Sequence, residues 1–241
     1  MLPFNLALRA AAWPFLFALL VSLALVPLAR RVAVSLGCVA HPREDRWHRR
    51  PIALFGGVAI GATVLAGIVV FGVTEGLAVP LSCAALIFVM GLTDDLISLK
   101  PSTKLVIEVA IACVFLTSQY RLNWVNSLTL DMMLTLVWVV GMTNAFNLLD
   151  NMDGLCAGIA LIVGAALMVN LAPEMPSAVA FSQIRYLALL LGATAGFLFY
   201  NFHPASIFMG DSGSLALGLS FAALTLSPST QVSAKSNPLS I

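Results

Sequence analysis

Charge is scarce in this sequence: of 241 residues only 10% are Asp, Glu, Lys or Arg, whereas 60% are hydrophobic. A soluble domain carries about 25% charged residues and needs them to cover its core, so a water-facing globule is excluded and the bilayer is the expected solvent. Net charge is also close to nil, +1 at neutral pH, and without a broad basic field nucleic acid is not an expected partner. Cysteine is sparse and has no paired spacing. Cys38, Cys83, Cys113 and Cys156 lie at or near apolar runs, which reads as small buried hydrophobes rather than a disulfide framework or zinc site. Alternation of polar and apolar residues is missing too, which argues against a transmembrane barrel, and no repeat of 20–50 residues is evident.

What the chain does have is long apolar runs. Crossing the hydrocarbon core takes about 20 mostly apolar residues, and eight stretches come near that length: 10–30, 52–73, 77–93, 104–120, 130–147, 156–172, 184–201 and 213–227. The expected fold class is therefore all-α, a polytopic transmembrane bundle of about eight helices over residues 1–227. A polar, Pro/Ser-rich tail over 228–241 is expected to be disordered. The runs 77–93 and 213–227 are short, which suits helices shielded by neighbours. The first run lacks a strongly basic lead and a small-residue cleavage site, so it reads as a retained helix rather than a signal peptide.

Lys and Arg fix the orientation. If the loop 30–51 is cytoplasmic, that side gathers eight of them (Arg30, Arg31, Arg43, Arg46, Arg49, Arg50, Lys100, Lys104) against Arg9, Arg121, Arg185 and Lys235 opposite, as the positive-inside rule requires. The acids were not used in that count. Even so, Glu44, Asp45, Asp94, Asp95, Asp150, Asp153 and Asp211 fall on the same side, Glu75, Asp131 and Glu174 fall on the other, and Glu108 lies in mid-helix.

Three constellations among these acids suggest chemistry. In Gly91-Leu-Thr-Asp94-Asp95, followed by Lys100 and Lys104, two adjacent carboxylates at a helix end repel each other unless a proton, a hard cation or a lysine offsets the charge; a solvated interfacial loop is the plainer alternative. Asn144, Asn147, Asp150 and Asp153 recur every three residues ahead of Gly154, keeping four polar side chains on one slowly turning face. Such oxygen ligands and amide donors suit Mg²⁺ with a nucleotide diphosphate. An EF-hand is excluded, since the twelfth position of a loop starting at Asp150 is Leu161. In Phe208-Met-Gly210-Asp211-Ser212-Gly213-Ser214, glycines bracket an acid and two hydroxyls before a helix, so backbone N–H groups point toward an anion, and Asp211 is useful there if it holds a metal. Phe208 suits either base stacking or interfacial anchoring, and His203 receives no role. A fourth segment, His41 to Pro51 with His48 and then Gly56-Gly57, is a basic juxtamembrane loop that reads first as a lipid-headgroup anchor.

With these residues in place, the chain resembles the polyprenyl-phosphate N-acetylhexosamine-1-phosphate transferases, the MraY- and WecA-like members of glycosyltransferase family 4. The resemblance rests on R-W-H-R-R-P ahead of G-G, on G-L-T-D-D with a lysine nine residues beyond the second Asp, on N-A-F-N-L-L-D-N-M-D-G-L, and on F-M-G-D-S-G-S-L-A-L-G, together spanning residues 41–218. It implies transfer of a sugar-1-phosphate, GlcNAc-1-phosphate first among candidates, from a UDP-N-acetylhexosamine to undecaprenyl or another polyprenyl phosphate. UMP is released, and the product primes peptidoglycan or lipopolysaccharide synthesis on the cytoplasmic face of a bacterial inner membrane. It also implies Mg²⁺, with Mn²⁺ as the alternative ion, held by Asp211 and Asp150. Asp94 would act as base and Asp95 in support. Lys104, Asn144, Asn147, Asp153, Phe208, Gly210, Ser212 and His48 would lie on the substrates, and a homodimer is an open option. A two-step route through an aspartyl-phosphate is the mechanistic rival.

Two departures stand out. Ala40 occupies a position where the family usually carries an acid, and nothing here matches the basic, histidine-rich loop of the family's C-terminal part. The chain is thus expected to correspond to a shortened member, with weak or no UDP-GlcNAc binding of its own. The functional rival is a cation-coupled transporter, for which Glu108 is the midspan candidate.

Overall fold

The computed structural model describes residues 2–40, 52–175 and 177–228. The loop carrying His48 and the tail beyond residue 228 lie outside the described residues. Eight α-helices follow one another: α1 (Leu2–Ser35), α2 (Gly56–Phe71), α3 (Ala78–Ile97), α4 (Pro101–Thr117), α5 (Leu128–Leu149), α6 (Leu155–Leu171), α7 (Ala178–Asn201) and α8 (Asp211–Thr225). A 3-10 turn, Ala172–Glu174, extends α6. Among the described residues, strands are limited to two antiparallel pairs of two residues each, β1 (Val39–Ala40) with β2 (Ile52–Ala53) and β3 (Tyr120–Arg121) with β4 (Ser227–Pro228). The molecule is an all-α membrane bundle.

Five helical segments (Phe4–Ser35, Ala78–Ile97, Leu128–Leu149, Leu155–Glu174 and Ala178–Asn201) are long and apolar enough to cross a membrane. The 16-residue α2 is apolar but shorter. Of eight expected full spans, α2, α4 and α8 are thus short. The 15-residue α8 is tolerated because twelve of its residues are buried, so its backbone never meets lipid. The run expected to stop at residue 93 continues to Ile97. The aspartates do not end α3; the chain leaves it at Ser98, where φ is 51° and the N–H bonds back to the Asp94 carbonyl. Pro101 then starts α4 at a position where its missing N–H costs nothing.

Small residues set how closely the helices pack. In lipid there is little hydrophobic drive between helices, so close backbone approach and polar contacts hold them. α1 lies on α7 through Gly192 and Gly196, where an added Cβ would meet Ala18 at 3.0 Å and Ser22 at 2.7 Å; Ser22 Oγ donates to the Ala193 carbonyl at 2.7 Å. α8 is wedged against α3 and α5. A Cβ on Gly218 would meet Thr143 Cα at 2.8 Å, and one on Gly91 would meet Ser212 Cα at 2.7 Å. Large apolar side chains such as Trp13, Val69, Ile162 and Phe199 remain exposed on the outer surface, as a lipid-facing belt requires. The ends of α3, α5 and α7 and the starts of α4 and α8 meet at one end of the bundle, where Ala53 bridges Ile207.

Candidate active site

The site is built around the first turn of α8. The opening N–H groups of a helix have no partner within it and must find acceptors, above all inside an apolar bundle. Here two aspartates from other helices supply them. Asp95, on the last turn of α3, accepts from Asp211 N at 2.8 Å through Oδ1 and from Ser212 N at 3.0 Å through Oδ2. Asp150, just past α5, accepts from Gly210 N at 3.1 Å. The anion expected at this turn is therefore the protein's own pair of carboxylates, and the N–H groups are not open to a phosphate. Gly210 is required, since its φ is 77° and a Cβ would lie 2.8 Å from Asp95 Oδ2. Gly91, one helical turn before Asp95 on the same face of α3, lets the two backbones close to that distance. Ser212 is fully buried, with Gly57 against its side chain, on the wall of an apolar cavity that Gly57, Leu81, Phe88 and Tyr186 also line.

Beside this capped turn sits a charged cluster. Lys104, in the first turn of α4, places its ammonium 3.0 Å from Asp94 Oδ2 and 2.8 Å from Asp211 Oδ2. Asp94 Oδ1 accepts the Leu99 N–H at 2.6 Å. Asn147 donates to Asp211 Oδ1 at 3.0 Å and to Ser214 Oγ at 3.1 Å, so both oxygens of Asp211 are held, one from α4 and one from α5. The three charged side chains are 14–24% exposed, enough to open the cluster to solvent at this end of the bundle.

The remaining expected residues divide. Asp153 turns to the next loop, where it pairs with His203 Nδ1 at 2.9 Å and accepts from Ala205 N at 3.0 Å; it fixes the chain leading to Phe208 rather than joining the cluster. Phe208 is half-buried, and its backbone pairs with Ala53 and Gly56. Asn144 points deeper, giving its amide protons to Glu108 Oε2 and to the Val140 carbonyl, so only its carbonyl is left for a substrate.

Two residues carry weight that the sequence did not disclose. Asn201, buried at the end of α7, accepts from Gly154 N at 3.0 Å and donates to the Ile207 carbonyl at 2.9 Å, which ties the two loops together. Glu108, only 4% exposed, lies beneath the cluster. The sequence marks it as an acid in mid-helix, and its spacing, four residues beyond Lys104, puts it on the same face of α4.

Among the described residues no three Asp, Glu, His or Cys side chains are grouped to hold a metal ion. What exists is a pair: Asp94 and Asp211 each present an oxygen to one cation, and the cation is the Lys104 ammonium. A part-exposed pair of carboxylates fits a hard divalent ion such as Mg²⁺, which takes one or two carboxylates and fills its shell with water and phosphate oxygens. Asp150, the second expected ligand, has one oxygen on the N–H of Gly210, the residue before Asp211.

Residues 77–229 match the family model described as glycosyl transferase family 4. Among curated proteins, the chain is 35% identical to a probable undecaprenyl-phosphate N-acetylglucosaminyl 1-phosphate transferase of Bacillus subtilis, over 88% of this chain and 61% of that protein. It is 34% identical to a decaprenyl-phosphate N-acetylglucosaminephosphotransferase of Mycobacterium tuberculosis, over 85% of this chain and 57% of the relative. It is 38% identical to a phospho-N-acetylmuramoyl-pentapeptide-transferase of a Synechococcus species, over 66% and 52%. The chain thus spans between 52% and 61% of the length of these relatives.

Proposed function

The chain belongs to glycosyl transferase family 4, and from that premise we propose that it transfers N-acetylhexosamine-1-phosphate, GlcNAc-1-phosphate in the first instance, from a UDP-sugar to a polyprenyl phosphate. The reaction would take place on the cytoplasmic face of a bacterial inner membrane. One observation carries the reading: a single ammonium is held between two part-exposed carboxylates, Asp94 and Asp211, on the end of the bundle where the acids gather. The diphosphate of the UDP-sugar and the monophosphate of the lipid bring more negative charge to this place, and they require a mobile positive group together with a divalent ion.

Asp211, with Asp94 beside it, would hold Mg²⁺ or Mn²⁺, which when bound withdraws charge from the diphosphate as the phosphoanhydride breaks. In the transfer, an oxygen of the lipid phosphate bonds to the phosphorus that carries the sugar. The bond from that phosphorus to the UMP oxygen breaks, and UMP leaves with the electron pair. Lys104 would offset phosphate charge. Asp94 would take a proton from the lipid phosphate, a slight task because a phosphoester with a second pKa of about 6 is mostly dianionic at neutral pH. Asn147 keeps Asp211 oriented, and Asp95 holds the turn in which Asp211 sits. The test is reconstitution with undecaprenyl phosphate, UDP-GlcNAc and Mg²⁺. UMP release that needs all three is expected, slow at ordinary UDP-GlcNAc concentrations because the chain binds it weakly and faster as they are raised; no UMP from a folded preparation at saturating UDP-GlcNAc would sink the reading.

A further inference from the structure

Glu108 is a buried acid of α4 that meets α5, and the reaction as derived gives it no task. A carboxylate buried among apolar helices is costly and is retained where something depends on it. It accepts a hydrogen bond from Asn144 of α5, whose second amide proton goes to Val140 O at 2.9 Å. Glu108 lies one turn deeper than Lys104 on the same face of α4, and Asn144 lies one turn deeper than Asn147 on α5. At about 1.5 Å per residue Glu108 sits roughly 6 Å below the level of Lys104 and Asn144 roughly 4.5 Å below that of Asn147.

That upper level is where Asp211 is held: Lys104 reaches Oδ2 at 2.8 Å and Asn147 reaches Oδ1 at 3.0 Å. The two donors come from different helices, so the seat of Asp211 depends on the spacing and register of α4 against α5. Apolar packing alone leaves that register soft, because lipid competes equally for a leucine surface. A single buried polar pair is a known way of fixing register. We propose that Glu108 is a positioning residue for the transfer: through Asn144 it locks α4 to α5 directly under the site and so seats Lys104 and Asn147 on the two oxygens of Asp211.

The proposal rests on Asp211 carrying the chemistry, and the test separates the two. In the full chain, Glu108→Ala is expected to lower kcat for UMP release about 10- to 100-fold, the usual effect of losing a residue behind the reacting groups, with KM for UDP-GlcNAc within about threefold. Glu108→Gln, whose carbonyl can accept the same amide proton, is expected to restore kcat to within about threefold of wild type. Unchanged kcat in the alanine variant, or a glutamine variant as slow as alanine, overturns the role. A second measurement needs no turnover. In a thermal double-mutant cycle of Asn144→Ala with Asp211→Asn, the shifts are expected to be non-additive, because an unlocked α4–α5 pair has already released Asp211. Additive shifts overturn the lock. A wild-type chain that releases no UMP counts against the transferase reading alone, and the cycle then decides the positioning role.

Discussion

Replacing Asp95 separates the two tasks that an aspartate at this position can have. Its carboxylate holds two backbone N–H groups of α8, at 2.8 and 3.0 Å, in a half-buried turn. Hydrogen bonds to a charged acceptor contribute about 1.5–3 kcal/mol each, so Asp95→Ala is expected to cost about 3–6 kcal/mol, less whatever water recovers as it enters the turn. Asp95→Asn keeps one acceptor oxygen but turns an amide toward the other N–H, and it should lose about half of that. For a chain of this size one kcal/mol moves the midpoint by about 2–4 °C, so the alanine variant should melt at least about 6 °C below wild type, with asparagine between them. The assay is thermal unfolding in detergent, followed by intrinsic fluorescence, with and without Mg²⁺. Turnover should fall in parallel with the folded fraction. An Asp95→Ala protein that melts like wild type yet releases no UMP would refute the capping role and return Asp95 to the reacting groups.

Asp211→Asn is expected to abolish transfer and weaken Mn²⁺ binding, measured by paramagnetic resonance, while the protein still inserts and folds; turnover and Mn²⁺ binding like wild type would remove Asp211 as the cation's seat. Asp94→Asn should slow turnover, by up to about 10²–10⁴-fold if proton transfer matters, with little change in UDP-sugar affinity; a loss seen wholly as weaker nucleotide binding would place Asp94 on the other substrate. Lys104→Gln leaves Asp94 and Asp211 with no cation between them, so its thermal midpoint should respond to Mg²⁺ more than the wild type's does. At 100 times Kd, binding adds about 2.7 kcal/mol, and equal Mg²⁺ responses in the two proteins would contradict the shared-cation arrangement.

Much of this arrangement was legible because apolar runs and alternate loops decide where acids can go. Eight runs gave eight helices, and the same parity brings Asp94, Asp95, Asp150, Asp153 and Asp211 to one end of the bundle. The glycines were legible as well, although what they face was not: Gly91 and Gly210 are the positions at which α3 and the turn before α8 come together. The pairings themselves could not be read. Asp95 with Asp211 N spans 116 positions and Glu108 with Asn144 spans 36, and no spacing rule within one helix reaches that far. The end of α3 was misplaced for a related reason. A carboxylate in an apolar run reads as the edge of the membrane, but an aspartate whose charge is met by the next helix can stay inside the helix that carries it.

The adjacent pair Asp94-Asp95 shows how this works. Two carboxylates side by side suggest one cation between them, since their mutual repulsion must be offset. In a helix, however, neighbouring side chains point about 100° apart, so consecutive acids face different partners. Asp94 meets the Lys104 ammonium, and Asp95 meets the partial positive charge at the start of α8 together with two of its N–H groups. Each charge is balanced separately, and the repulsion is divided between a mobile lysine and a fixed helix end. The division has a functional consequence. The partners of Asp95 are backbone and cannot leave without unravelling α8, whereas Asp94 has one backbone partner, the Leu99 N–H on Oδ1, and one side-chain partner on Oδ2, the Lys104 ammonium, which can swing toward a phosphate. One oxygen of the first member is therefore exchangeable between Lys104 and another cation, as the proposed reaction needs, and the second member holds in place the turn that carries Asp211.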